Sequence, residues 1–231
     1  MYKKPSNKEF SKVFDSIASK YDHITNKYAV QRRIKFIERY AKGECLEIGA
    51  GSGKISEILS KKHKVTATDI SPKMILKIKK QKKINTFICD AEKLPFKNNS
   101  FDTVVAAELV YYLDNPGKFI SEAHRVLKKR GRIIITSANN ITVIYDKIRN
   151  LLRYLGFKSM YFDDKNRNFM TLKKIRRLLN ESGFIIEKKK KAIILPFSVF
   201  DRLNNCLEQT PLSYFSSFIF AVGRKKIKCR R

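Results

Sequence analysis

The stretch Leu46–Ile55, LEIGAGSGKI, places three glycines at alternate positions directly after an apolar run that contains a carboxylate. An apolar run of this kind predicts a buried strand, and closely spaced glycines predict a sharp turn. Glycine is required where the backbone adopts a positive φ or approaches a ligand closely. Because a helical pattern follows, the turn would direct backbone amides at a ligand from a helix N-terminus.

Composition limits the class of protein. The chain has 231 residues and is 43% hydrophobic, which suits one domain spanning residues 1–231. Its apolar runs are shorter than the ~18 residues of a membrane helix, and the N-terminal segment MYKKPSNKEF has no apolar signal core. We therefore expect a soluble, cytoplasmic protein. The cysteines form no C-x-x-C pair and the histidines show no ligand spacing, so we expect neither a disulfide nor a metal.

The charge balance is strongly basic, with 50 Lys and Arg against 21 Asp and Glu, a net charge of +29. Such an excess predicts either a polyanionic partner or a solvated basic coat. The basic residues are spread along the whole chain, and no segment interleaves them with aromatic residues as a dedicated RNA module would. We favour the coat, with at most a weak electrostatic association with nucleic acid or an anionic membrane surface.

Strand and helix patterns alternate along most of the chain, which predicts an α/β fold with a doubly wound, mostly parallel sheet and helices on both faces. Residues 9–40 are helical in pattern, and Ser71 with Pro72 has the form of a helix N-cap. The pattern predicts a helix at Pro116–Lys129 that stops at Gly131. It also predicts a last strand at Tyr214–Val222. Seven strand-like segments are present in all.

Three ligand classes compete for the glycine turn. A P-loop is rejected because its first and last positions would be Ile48 and Ile55. A dinucleotide fingerprint is disfavoured because Lys54 occupies its sixth position. Carboxylates at the ends of three successive strands, Glu47, Asp69 and Asp90, suit a ligand with a ribose diol and positive charge, such as S-adenosylmethionine (SAM).

Five stretches in order resemble the class I SAM-dependent methyltransferases of the type 11 group, related to the ubiquinone and menaquinone C-methyltransferases. They are VFDSIASKYDHITNKY, CLEIGAGSGKIS, TATDISPKMI, CDAEKLPFKNNSFDTVVAAELVYYL and EAHRVLKKRGRIIIT. The resemblance implies a Rossmann-like sheet of seven strands with an antiparallel last strand. The family's usual proline-glycine-glycine is replaced by Lys129–Gly131, and the signature of the quinone enzymes is absent from ELVYYLDNP. The resemblance therefore indicates SAM as the cofactor and does not identify the methyl acceptor.

The resemblance also implies a set of site residues. Amides of Gly51–Gly53 would meet the methionine carboxylate of SAM, Asp69 the ribose, and Asp90 with Ala91 the adenine. The cofactor-binding candidates are Tyr21, Glu47, Gly49, Ala50, Gly51, Gly53, Asp69, Ile70, Met74, Asp90, Ala91, Glu92 and Glu108. The candidates for a general base or another catalytic role are Glu108, His23 and Tyr111.

The predicted organisation is a helical N-terminal cap (1–43), a SAM-binding half (44–140), an inserted lid rich in aromatic residues (141–170) and the rest of the sheet (171–231). We expect methyl transfer to a small or lipid-linked acceptor, because the lid and the stretch AIILPFSVF are apolar. An RNA (tRNA) methyltransferase and a catalytically silent SAM-binding partner subunit are the alternatives.

Overall fold

The computed structural model describes residues 7–80, 83–141, 154, 170–192 and 200–227. Seven strands form one sheet: β1 (Glu44–Ile48), β2 (Lys64–Asp69), β3 (Ile84–Ile88), β4 (Phe101–Ala107), β5 (Leu127–Ala138), β6 (Phe184–Ala192) and β7 (Phe218–Lys225). The described helices are α1 (Asn7–Ile17), α2 (Tyr21–Ile24), α3 (Lys27–Tyr40), α4 (Lys54–Leu59), α5 (Pro72–Ile78), α6 (Pro116–Val126), α7 (Leu172–Glu181) and α8 (Asp201–Leu207), with a 3-10 helix at Pro211–Phe215.

The strand order is β3-β2-β1-β4-β5-β7-β6. Strands β1 to β5 pair in parallel, and β7 runs antiparallel to both of its neighbours. The predicted fold class and antiparallel last strand are therefore confirmed. The order reverses between β1 and β4, and open α/β sheets bind ligands at the carboxyl ends of strands beside such a reversal. The glycine turn lies at this point.

The central strands β1, β2 and β4 are buried on both faces, as parallel strands covered by two layers of helices are, whereas the edge strands β3 and β6 are partly exposed. Along β4, Val104 and Val105 are both fully buried but face separate apolar clusters on the two sides of the sheet. Phe119 of α6 belongs to one cluster and Ile37 of α3 to the other. The sheet is thus fixed from both sides, which gives its carboxyl edge a rigid base.

The start of α5 confirms the predicted N-cap. The Ser71 hydroxyl accepts a hydrogen bond from Met74 N, and Pro72 occupies the first helical position. The same hydroxyl donates to Asp15 Oδ1 at 2.5 Å, and Asp15 also accepts from Lys73 N at 3.1 Å. These contacts attach α1 to the end of β2, which places α1 over the carboxyl edge of the sheet.

The predicted helix at Pro116–Lys129 is too long, because α6 ends at Val126 and β5 begins at Leu127. The carbonyls of Arg125 and Val126 accept from the backbone amides of Asn99 and Ser100, so they are taken out of helical bonding. Gly131 therefore lies inside β5 rather than ending a helix. The pairing of β4 with β5 shifts register between Phe101, which lies opposite Leu127, and Thr103, which lies opposite Arg132. Arg130, with a φ of 60°, lies in the irregular part of β5 between these pairs.

The last predicted strand also starts too early. Pro211 and the Thr210 cap, which accepts from Leu212 N, set up the 3-10 helix, and β7 begins only at Phe218. The predicted lid at 141–170 falls almost entirely on residues outside those described and stays a prediction. Of the described helices, all are too short or too polar to cross a membrane.

We predict that Gly53→Ala lowers the free energy of unfolding by about 2–3 kcal/mol. Gly53 has a φ of 84°, and an added Cβ would lie 2.8 Å from Cγ1 of the fully buried Ile78. The measurement is chemical denaturation of the ligand-free protein.

The control is Gly117→Ala, at a glycine outside the positive-φ set. This variant should change the unfolding free energy by less than about 1 kcal/mol. Equal effects at the two positions would show that the turn at Gly53 is not strained by a side chain.

Candidate active site

The turn after β1 is built on left-handed backbone. Gly49, Gly51 and Gly53 have φ angles of 71°, 55° and 84°, which residues other than glycine rarely adopt. The amide of Gly51 donates to Asp69 Oδ2 at 2.8 Å, and the amide of Gly53 donates to the Ala50 carbonyl at 2.9 Å. Two amides that the sequence assigns to a ligand carboxylate thus already have acceptors within the chain.

Asp69 ends β2 and holds two loops together. Its Oδ2 accepts from Gly51, and its Oδ1 accepts from Ser71 N at 2.9 Å. Burial raises the pKa of Asp69, while these amide hydrogen bonds oppose that shift. Each carboxylate oxygen accepts one of these bonds and retains a second lone pair for a ligand hydroxyl.

A cavity of about 690 Å³, its opening to solvent included, lies above the turn. Its polar end contains Asp69 and Asp90. The residues that line it are Phe10, Phe14, Tyr21, Ile48, Gly49, Gly51, Asp69, Ile70, Cys89, Asp90, Ala91, Ala107, Glu108, Leu109, Tyr112 and Leu113.

Aromatic side chains form one wall of this cavity. The ring of Tyr112 meets those of Phe10 and Phe14 of α1 edge-on, with centroids 5.5 and 5.2 Å apart. Leu109 and Leu113 continue the apolar lining. Phe10 and Phe14 lie one helical turn apart on α1, and this face of the helix lines the cavity.

A second, adjoining cavity of about 440 Å³ shares Tyr21, Gly49, Ala107 and Glu108 with the first. Its other lining residues are Asp22, Thr25, Val30, Arg33, Glu47, Ala50, Ser52, Lys54 and Ile55. Tyr21 lines both cavities and its ring lies against the glycine turn, since a Cβ added at Gly51 would lie 3.2 Å from its Cε1. Burial raises the pKa of Tyr21 to about 12, with Arg33 opposing and the neighbouring carboxylates adding to the shift.

Glu108 is held in a rigid and strained position. Its φ is 57°, and its amide donates to the Thr136 carbonyl at 2.9 Å. Its carboxylate accepts from Tyr111 Oη at 3.1 Å and Thr136 Oγ1 at 3.2 Å, and lies 3.4 Å from Arg33 Nη2. Side chains held in this backbone region cluster at functional sites. Glu108 lines both cavities, and its role toward a ligand stays a prediction.

Arg33 of α3 is a site residue that the sequence did not reveal. Its guanidinium carbon lies 5.6 Å from the ring centroid of Phe218, and only 13% of its side chain is exposed. Its Nε is buried, and no hydrogen-bond partner for it exists in the part of the chain that the structure describes. A buried donor without an acceptor requires an explanation, and a ligand carboxylate in the second cavity would supply one.

Two acids differ in their electrostatic surroundings. Glu47 is fully buried and accepts a hydrogen bond from the Ser56 hydroxyl, and burial raises its pKa to about 8. Burial would also raise the pKa of Asp22. Hydrogen bonds from Ser52 and Lys54 outweigh that effect and hold the Asp22 pKa below its ordinary value.

Several candidates lie away from both cavities. Met74 is fully buried in α5, and Glu92 is buried and accepts from Asn115 N at 2.7 Å. His23 is exposed and lines neither cavity, which removes the basis for a role as general base. Tyr111 is buried behind Glu108 and donates to it, so it positions that carboxylate.

The charges of the two cavities define a ligand class. Among the residues that the structure describes, Asp69, Asp90 and Glu108 line the larger cavity and no Lys or Arg does, so a pyrophosphate would be repelled there. The smaller cavity adds the cations Arg33 and Lys54. A ligand with a neutral nucleoside, a positive centre and an amino-acid carboxylate would match the carboxylates of the larger cavity and the cations of the smaller one. SAM has this composition.

Comparisons with known proteins agree with this geometry. The family described as "Methyltransferase domain" matches residues 46–135. An uncharacterized protein of Methanocaldococcus jannaschii, MJ1123, is 32% identical over 93% of this chain and 99% of its own length. The ubiquinone/menaquinone biosynthesis C-methyltransferase UbiE of Desulfotalea psychrophila is 31% identical over 62% of this chain. The match spans 64% of the UbiE sequence, less than two thirds of it.

Solved structures show the same fold. A SAM-dependent methyltransferase of Thermotoga maritima, described as a possible histamine N-methyltransferase, superposes with a TM-score of 0.70 and 21% identity. The superposition covers 93% of this chain and 98% of the other. At this identity the likeness concerns the arrangement of strands and helices.

We predict that Glu47 makes the stability of the ligand-free protein fall as pH rises. The pKa of this carboxyl is about 8 when folded against 4.5 as the ordinary value, so the folded state binds the extra proton. Its stabilising contribution is complete below about pH 4.5 and is lost as pH rises through about 8. Denaturant titrations across this range should show a decline of a few kcal/mol attributable to this group.

Glu47→Gln is the control, because glutamine keeps the shape and does not titrate. Its stability should be flatter than that of the wild type between pH 4.5 and 8. Parallel pH profiles for the two proteins would mean that the Glu47 carboxyl titrates normally.

Proposed function

The chain belongs to the class I SAM-dependent methyltransferases, and on that basis we propose that it methylates a small, largely apolar or lipid-linked acceptor. The observation that carries the proposal is the wall of Phe10, Phe14 and Tyr112 facing Glu108 across the larger cavity. The similarity to a named ubiquinone/menaquinone C-methyltransferase supports the same acceptor class. A quinol with an isoprenoid tail is therefore the first substrate to test.

The residues present fit SAM at both ends. We assign its ribose to Asp69 and its adenine to Ile70, Asp90 and Ala91, which share the polar end of the larger cavity. Arg33 is assigned to the methionine carboxylate, since its buried Nε needs an acceptor. Glu108 supplies negative charge near the ammonium and sulfonium groups, and the Glu47 carboxyl, which burial keeps protonated up to about pH 8, offers the ammonium a hydrogen-bond acceptor.

SAM, when bound, supplies an electrophilic methyl group, and the chain contributes alignment and exclusion of water. Phe10 and Phe14 close the larger cavity and keep water from the acceptor. Glu108 is the proposed acceptor of a proton from a phenolic hydroxyl, because it faces the cavity. The hydrogen bonds from Tyr111 and Thr136 keep its carboxylate in place for that transfer.

An RNA acceptor is the second candidate, and one surface feature favours it. A cleft between α3 and β6 combines the aromatic rings of Phe36 and Tyr40 with Arg39, Lys188 and Lys190. Basic side chains beside aromatic faces bind single-stranded nucleic acid. The cleft also contains Glu208, which pairs with Lys190 at 2.6 Å and reduces its positive charge. We therefore rank RNA below the apolar acceptor.

The test is a binding and transfer assay. SAM and S-adenosylhomocysteine should raise the melting temperature by mass action, whereas NAD and ATP should not. Radiolabelled methyl from SAM should then appear in a detergent-solubilised quinol and not in tRNA.

Each result separates two hypotheses. Binding of SAM without transfer to any fraction of a cell extract would favour a catalytically silent subunit. If NAD stabilises the protein as much as SAM does, the assignment of SAM as the cofactor is wrong. If methyl transfer to tRNA persists at high salt, RNA replaces the apolar compound as the proposed acceptor.

We predict that Asp69→Ala weakens SAM binding about 30- to 150-fold, which corresponds to roughly 2–3 kcal/mol. The carboxylate is proposed to hold the ribose hydroxyls, and hydrogen bonds to a charged acceptor are worth more than neutral ones. The variant should also lose about 1–3 kcal/mol of stability, because the amides of Gly51 and Ser71 lose their acceptor. Calorimetric titration and a thermal melt measure the two effects.

Asp102→Ala is the matched control. Asp102 also accepts a backbone amide, that of Glu44 at 2.9 Å, but it lines neither the larger nor the smaller cavity. It should lose stability and bind SAM normally. If Asp69→Ala behaves in the same way, the Asp69 carboxylate fixes the turn and does not contact the ribose.

A further inference from the structure

One short segment of the chain exposes an unusual amount of apolar surface. Among the described residues, eleven large hydrophobic side chains are exposed, and five of them lie between residues 200 and 215. We call this set the edge patch: Phe200, Leu203, Leu212, Tyr214 and Phe215. Scattered exposed apolar residues are normal, whereas a concentrated set marks a binding surface.

The edge patch lies at the same edge of the sheet as the cavities. Strand β6 runs in the direction of β5, because both are antiparallel to the β7 strand between them. The 3-10 helix directly precedes β7, and its Tyr214 contacts Lys191 near the end of β6, so it lies at the carboxyl edge. Helix α8 packs beside α3, where Asp201 and Glu208 pair with Arg32. Asn139, at the end of β5, fixes this connection through hydrogen bonds to the carbonyls of Ser216 and Ser217 at 2.9 and 2.8 Å.

Positive charge borders the edge patch. The Nζ of Lys191 lies 4.4 Å from the ring centroid of Tyr214, and Lys189 and Arg202 are exposed. The acids of α8 and its end are engaged, since Asp201 and Glu208 both pair with Arg32 at 2.7 Å. The border of the patch is therefore basic, which agrees with the net charge of +29.

We propose that the edge patch docks the protein on an anionic lipid bilayer. Leucine side chains such as Leu203 and Leu212 gain free energy by entering the acyl boundary, and lysines beside them are attracted to anionic headgroups. RNA would use aromatic stacking and cations but would leave the leucines exposed to water. Exposed aromatic, aliphatic and basic side chains together are the composition of a membrane-surface site.

Docking in this orientation brings the carboxyl edge of the sheet, with both cavities, toward the bilayer. A lipid-linked acceptor could then reach Phe10, Phe14 and Tyr112 without crossing water. In this respect the inference rests on the proposed function, but docking is measured without SAM or acceptor and is tested separately.

The experiment is flotation of the full chain with vesicles of phosphatidylcholine, with and without phosphatidylglycerol. Binding should require phosphatidylglycerol and weaken as salt is raised. Leu203→Ser/Leu212→Ser should reduce binding at least about tenfold, because two apolar side chains no longer enter the bilayer. Both leucines are about half exposed, at 46% and 48%, so the variant should fold, which a thermal melt checks.

The matched control is Leu76→Ser/Ile185→Ser, which removes two equally exposed side chains outside the edge patch, at 58% and 46%. It should float like the wild type. Equal binding by both double variants, or no binding to anionic vesicles at all, would overturn the proposal. Two results together would assign the patch to RNA instead. tRNA would displace the wild type from vesicles at physiological salt, and the leucine variant would bind tRNA as weakly as it binds vesicles.

Docking and acceptor chemistry fail in different ways. If the protein floats with anionic vesicles but methylates no lipid-soluble compound, docking stands and the proposed acceptor is wrong. If it methylates a detergent-solubilised quinol but never floats, the acceptor stands and docking is wrong.

Discussion

The Asp69 carboxylate is the contact on which the arrangement of the cavity depends. It joins the glycine turn after β1 to the start of α5 through the amides of Gly51 and Ser71. Ser71 in turn donates to Asp15 of α1, and Ser11 of the same helix donates to the Ile70 carbonyl at 3.0 Å. Through this series of hydrogen bonds, the residue that ends β2 also sets the position of the helix that closes the cavity. Two adjacent parallel strands and an N-terminal helix are thus held by one side chain.

The charge distribution explains how a very basic chain can bind a cationic ligand. Lys and Arg exceed Asp and Glu by 29, yet in the described part of the chain three carboxylates and no Lys or Arg line the larger cavity. Burial strengthens the field of such groups because water no longer screens them. The raised pKa values of Tyr21, Glu47 and Asp69 have burial as their main cause, with neighbouring carboxylates as a further one.

The sequence predicted the parts of the structure that depend on local chemistry. The glycine turn, the Ser71 cap and the acids at strand ends are each set by a few neighbouring residues. It missed Arg33, since nothing nearby in sequence distinguishes one arginine among 50 basic residues, and its contacts with Glu108 and Phe218 are long-range. Met74, a cofactor-binding candidate, has its side chain fully buried in α5, and its contact with the cofactor stays a prediction. The end of α6 was misplaced because its carbonyls bond to Asn99 and Ser100, a tertiary effect invisible to periodicity.

The antiparallel strand at the end of the chain has a consequence for how the acceptor side is built. A parallel β7 would have required a connection from the carboxyl edge back to the amino edge. Because β7 is antiparallel, the connection from β6 stays on the carboxyl edge, where α8 and the 3-10 helix follow without crossing the sheet. Arg32 of α3 then pairs with Asp201 and Glu208 and attaches this late connection to the N-terminal helices. The N-terminal helices and the connection between β6 and β7 therefore contact each other although they are far apart in the sequence.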